Sequence, residues 1–174
     1  MKKIFFISIT LLIVSFSNYA DTWIKKADVP GYPKGGAVGF AINGKGYIGT
    51  GGDFNELWEY DPTADVWTQK ANLPGEGRHY AAGFAIGNKG YLGTGGSGYI
   101  PLGDFWEYDP DSNIWMQKAD FGGPKRLDAF GFSIGTKGYI GCGDNGVLPK
   151  QDFWEYDPAT DSWTQKADYG GGKI

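Results

Sequence analysis

The chain has 174 residues, a formal net charge of −4, 17% aromatic residues and 30 glycines. A net acidic chain excludes non-specific nucleic-acid binding as its main role. A single cysteine, Cys142, excludes an intrachain disulfide, and a single histidine, His79, leaves no histidine cluster at metal-ligand spacing.

The first element in chain order is a secretory leader. Met1-Lys2-Lys3 is basic, residues 4–16 are mostly apolar, and Ser17-Asn18-Tyr19-Ala20 ends in a small residue. That layout predicts a signal peptide over 1–20, cleaved after Ala20. Its 13-residue apolar run is too short for a bilayer, which takes about 20 residues. Residues 21–174 are therefore expected to be exported (periplasmic, secreted or at the cell surface), with no membrane span after cleavage.

Next comes Trp23-Ile24-Lys25-Lys26-Ala27-Asp28, which aligns with Trp67-Thr68-Gln69-Lys70-Ala71-Asn72 further on. The block Trp-Glu-Tyr-Asp-Pro then appears at Trp58–Pro62, Trp106–Pro110 and Trp154–Pro158, in steps of 48 residues. A second tryptophan follows each block, at Trp67, Trp115 and Trp163. A Gly-Tyr-Ile/Leu-Gly segment precedes each, at Gly46–Gly49, Gly90–Gly93 and Gly138–Gly141. Repetition with a period near 50 residues signals stacked units that bury a core between neighbours.

Each unit reads as four short strands. Ala81–Ile86 is almost wholly apolar, as suits an innermost strand covered on both sides. Gly87-Asn88, like Asn43-Gly44 before it, predicts a two-residue hairpin into Lys89–Thr94. Gly95-Gly96 ends that strand, with Gly143-Asp144 in its place in the third unit. In Phe105-Trp106-Glu107-Tyr108, alternation puts Trp106 and Tyr108 opposite Phe105 and Glu107. Asp109-Pro110 turns the chain into the outermost strand Ile114–Lys118. The first unit is four residues shorter, and the difference falls between Gly52 and Trp58, where an exposed loop is expected. Cys142 takes the place of Thr50 and Thr94 and reads as a buried small residue, not a nucleophile.

The glycine pair, the Tyr-Asp-Pro turn, the spaced tryptophan and a basic residue ahead of each innermost strand together resemble kelch repeats. The resemblance covers Trp23 to about Lys166. It implies an all-β, kelch-type β-propeller with four-stranded blades at about 35–70, 79–118 and 127–166. An orphan outer strand, Trp23–Asp28, precedes them. Kelch propellers usually close with about five to seven blades, so three imply an incomplete ring. Residues 167–174 align with the lead-in to a further blade. Either the sequence is partial, or three-blade halves self-associate into a six-blade ring.

The resemblance also locates the functional surface, at loops around the central channel. Lys34, Arg78 and Arg126 stand three residues ahead of Ala37, Ala81 and Ala129. There they would either form a basic ring that receives a carboxylate or brace the blade entry through loop carbonyls and nearby acids. His79, Tyr80 and Asp128 vary between units, as ligand-contacting positions do. The inserted loops carry apolar Tyr99, Ile100, Val147 and Leu148, a second candidate recognition surface. Glu59, Glu107 and Glu155 recur in every unit and suit structural hydrogen bonds better than general-acid roles.

No catalytic residue, metal or cofactor is expected. Galactose oxidase holds copper on a kelch propeller, but that site needs two histidines and a cysteine–tyrosine crosslink, which His79 and Cys142 do not supply. The leading expectation is an exported binding module for a protein or glycan. The alternatives are an enzyme resembling periplasmic kelch mutarotases of sialic-acid type, which needs an acid–base pair at the channel mouth, and a structural surface repeat protein.

Overall fold

The computed structural model describes residues 22–171. The expected signal peptide lies outside them.

Among the described residues every regular element is a β-strand. The first sheet runs β1 (Val38–Ile42), β2 (Lys45–Gly49), β3 (Leu57–Asp61) and β4 (Val66–Lys70), paired antiparallel in that order. The second comprises β5 (Ala82–Ile86), β6 (Lys89–Gly93), β9 (Phe105–Asp109) and β10 (Ile114–Lys118). Between its second and third strands a small ribbon, β7 (Gly96–Ser97) with β8 (Ile100–Pro101), fills the inserted loop. The third sheet is β11 (Phe130–Ile134), β12 (Lys137–Gly141), β13 (Phe153–Asp157) and β14 (Ser162–Lys166).

Local chemistry fixes each sheet. Asn43 and Gly44 both hold positive φ, 50° and 76°, so their two-residue turn twists with the strands it joins. At the Asp-Pro turns an aspartate side chain accepts the following amides, as Asp61 does from Thr63 at 2.9 Å and Asp109 from Asp111 at 3.0 Å. Asp109 also faces Lys89 at 2.7 Å, whose hydrogen bond holds its carboxyl at about 2. On the underside of each sheet a tyrosine donates to the repeated glutamate: Tyr47 to Glu59, Tyr91 to Glu107 and Tyr139 to Glu155, at 2.6 to 2.8 Å. Those glutamates are structural acceptors.

The sheets stack face to face in a propeller-like array, with β1, β5 and β11 lining one groove. Phe40 of the first sheet lies over Gly90 of the second, and Phe84 of the second lies over Gly138 of the third. A methyl at either glycine would overlap the ring, so only glycine admits the neighbour's phenylalanine. Two apolar cores result. One holds Tyr47, Leu57, Leu92, Tyr108 and Trp115; the other holds Phe84, Tyr91, Phe105, Ile140 and Tyr156. The second tryptophan of each unit then stitches to the segment before it: Trp115 Nε1 to the Ala71 carbonyl at 2.9 Å, and Trp163 Nε1 to that of Ala119 at 3.1 Å.

The expected orphan outer strand is corrected. Residues 22–29 form no strand: Trp23 is fully exposed and Ile24 largely so. The third sheet already has its own outer strand, β14, so no ladder is open to this segment. Only Ala27 is held, by Trp67 Nε1 at 2.9 Å and Asp65 at 3.0 Å. The cover expected for Ala81–Ile86 is present in β5, whereas β11 at the end of the stack is exposed along most of its length.

Candidate functional site

The three basic residues occupy equivalent clamps. Arg78 donates from two nitrogens to Asp104 at 2.7 and 2.6 Å and from one of them to the Thr94 carbonyl at 3.1 Å. Arg126 meets Asp152 at 2.6 Å and the Cys142 carbonyl at 2.9 Å. Lys34 meets Glu56 at 2.5 Å and lies over the Phe54 ring. In each clamp the first tryptophan of the block adds its indole N–H to the same acid, as Trp106 does to Asp104 at 2.7 Å. Burial works against ionisation of Asp104 and Asp152, but the paired arginine and the tryptophan indole together outweigh it and hold both carboxyls below the usual range.

Of the two roles open to these residues, the geometry is that of the brace and not of the basic ring. Arg78 and Arg126 are fully buried, and their guanidiniums are committed to protein acceptors. Neither presents a free face to a ligand, and the Lys34 side chain is only 7% exposed. The signal for their partners was in the sequence. Each arginine stands 26 residues ahead of its aspartate, and Lys34 stands 22 ahead of Glu56 in the unit that is four residues shorter.

What reaches solvent beside the clamps is acidic and aromatic. Gly36, Tyr80 and Asp128 hold the same position in successive units, all with positive φ (68°, 54° and 58°). They link across the sheets, Tyr80 N–H to the Gly36 carbonyl at 2.7 Å and Asp128 N–H to the Tyr80 carbonyl at 3.1 Å. Glycine takes this conformation at no cost and aspartate at little, whereas tyrosine is strained in it. Both side chains sit at the rim, exposed to solvent.

His79 Nδ1 lies 2.7 Å from Asp53, whose same oxygen accepts the Gly98 amide at 3.2 Å. The Gly98 amide and His79 together hold the Asp53 carboxyl below its usual range. His79 packs edge-on against the Tyr80 ring. With Gly98, Tyr99 and Leu127 these residues line a cleft of about 460 Å³. A second cleft of about 350 Å³ lies beside Asp128, Asp144, Val147 and Leu148. Burial, and then the charge of Asp144, push the Asp128 carboxyl up, while His79 opposes them.

The four loop residues, Tyr99, Ile100, Val147 and Leu148, are all exposed, Tyr99 almost completely. The rim thus gathers His79, Tyr80, Asp128 and the loop tips and leaves Lys34, Arg78 and Arg126 behind in the clamps. Asp53 and Asp144 were missed. Both fall at the glycine pair that closes the second strand, where a left-handed Asp53 (φ 64°) turns outward. Among the described residues no group of three or more His, Cys, Asp or Glu side chains is placed to hold a metal ion.

No protein-family model matches the chain, and no curated protein matches its sequence. Solved structures do resemble it. The structure of YjhT matches with a TM-score of 0.73 and 18% sequence identity, over 82% of this chain and 54% of YjhT. The chain therefore spans about half the length of that structure. The likeness is one of fold: antiparallel sheets in a propeller-like array. No helix among the described residues is long and apolar enough to cross a membrane.

Proposed function

We propose that this chain is an exported kelch-type propeller module whose rim binds a neutral glycan. The carrying observation is the pair Tyr80 and Asp128, held with positive φ where the first unit uses glycine. Strain at Tyr80 is tolerated where the side chain contributes something other than stability. Exposed Tyr80 and Tyr99 offer aromatic faces to the C–H surface of a sugar ring. Asp53, Asp128 and Asp144 offer acceptors for its hydroxyls. Because the arginines are sequestered, the rim favours an uncharged ligand over a carboxylated one. Export rests on the N-terminal leader motif.

Binding to an array of neutral and sialylated oligosaccharides tests this reading. Neutral glycans should be retained, and both Tyr99→Ala and Tyr80→Gly should weaken them by tenfold or more. Capture of sialylated glycans alone, or affinity indifferent to both substitutions, would contradict it.

A second reading follows from the raised Asp128 carboxyl beside the His79–Asp53 pair. A carboxyl whose burial favours its protonated form and a nearby imidazole are the acid and base types that ring opening of a reducing sugar requires. Asp128 would protonate the ring oxygen while His79 removes the anomeric hydroxyl proton, and the reverse transfers would close the ring on the other face. Exchange NMR between sugar anomers tests it. Acceleration that Asp128→Asn abolishes while binding persists would support the enzyme; exchange at the uncatalysed rate would leave a binding module.

A further inference from the structure

The two end faces of the stack are complementary halves of the interface that already occurs twice inside it. On the side toward the next sheet, each unit projects a phenylalanine from its innermost strand: Phe40, Phe84 and Phe132. On the side toward the preceding sheet, each unit presents a glycine hole: Gly46, Gly90 and Gly138. Phe40 fills the Gly90 hole and Phe84 fills the Gly138 hole. Among the described residues Phe132 has no hole and Gly46 has no ring; a Cβ at Gly46 would meet only Tyr60 Cβ there, at 3.8 Å.

Burial follows the same pattern. Phe84 is 4% exposed and Phe132 is 37%. Phe130 and Ile134 are open beside Phe132, whereas Ala82 at the matching position of the second sheet is buried. On the opposite end Ile48 is half-buried, while its equivalents Leu92 and Ile140 are fully buried. Apolar faces of this composition are covered in a stable protein.

We propose that a second copy of this chain covers both ends, so that Phe132 of each copy enters the Gly46 hole of the other and two three-sheet halves close one ring. Two observations select a second copy as the occupant. The knob and the hole are both on this chain, so two identical contacts related by a twofold axis satisfy both ends and leave none open. The stitch is also reproduced. Trp163-Thr164-Gln165-Lys166-Ala167 repeats Trp67-Thr68-Gln69-Lys70-Ala71, and Ala71 is the residue whose carbonyl takes the Trp115 indole. Ala167 of the second copy would take the indole of Trp67 in the same way. Ala27 now holds that seat by two hydrogen bonds, and residues 22–28 would be displaced from it.

The test is light scattering after size exclusion across a concentration series, with circular dichroism as the check on folding. The protein should run at twice the mass of one chain. Gly46→Phe fills the hole from within, on a face where its own chain leaves room, and Ile134→Asp charges the knob face at a side chain 63% exposed. Each should shift the dimer dissociation constant upward at least a hundredfold with an unchanged spectrum. A monomer at every concentration, a ladder of higher oligomers, or a dimer untouched by both substitutions would overturn the proposal.

Discussion

The second sheet and the two beside it are built from nearly one sequence, yet they experience different surroundings. In the second sheet both faces are covered: Tyr91, Leu92, Phe105 and Tyr108 are all between 0 and 3% exposed. In the first and third sheets the equivalent residues are buried on one face only, and Tyr60 and Phe153 at the outer faces are half-open. The same side chain therefore carries different weight according to its neighbour. In a stacked-repeat protein the interface, rather than the single sheet, is the unit of stability.

Paired truncations break this comparison most sharply. Phe84→Ala should cost about 3–5 kcal/mol in denaturant unfolding, the range for a fully packed phenylalanine. Phe132→Ala in the monomer should cost about 1 kcal/mol, because its ring already faces water on one side. Equal losses would remove the distinction between covered and open faces.

The clamps give a second pair. Arg78→Ala strands the Asp104 carboxylate with only the Trp106 indole beside it, and should cost about 3–5 kcal/mol. Lys34→Ala should cost less, about 1–3 kcal/mol, because Lys34 makes one hydrogen bond to Glu56 where Arg78 makes two to Asp104. The pH dependence follows from the same geometry. Asp104 and Asp152 have folded-state pKa values below their unfolded ones, so their contribution is complete above the unfolded carboxylate range. It is lost as pH falls through the folded value. Arg78→Ala should flatten that acid limb in a stability–pH profile.

Smaller effects come at the glycines. Gly90→Ala and Gly138→Ala place a methyl into Phe40 and Phe84 and should destabilise by about 1–3 kcal/mol. Gly46→Ala, with open space above it, should be neutral in the monomer. Smallest is Tyr80→Gly, which relieves a left-handed tyrosine and should stabilise by about 1 kcal/mol while weakening the ligand. A stabilised variant with undiminished binding would detach the strain at Tyr80 from function.

These contrasts also explain what the sequence made legible. Strand positions and hairpin turns were readable because they depend on local rules: Asn43-Gly44 needs only its own φ values, and the Asp-Pro turns only their own side chains. The roles of Arg78 and Arg126 were less readable. A repeated arginine at a loop is compatible with a ligand or with an internal acid, and burial decides between them. Asp53 was invisible because its partner His79 lies 26 residues away in the next unit. Trp23 illustrates the limit of alignment: it matches Trp67, Trp115 and Trp163 in sequence, but without a ladder to join it remains in water.

Native-state hydrogen exchange at low protein concentration tests the central claim most directly. The account predicts that ladder amides of β6 and β9 outlast their equivalents in β2 and β3 and in β12 and β13, because only the second sheet is covered on both faces. Equal protection in all three sheets of the dilute monomer would contradict it.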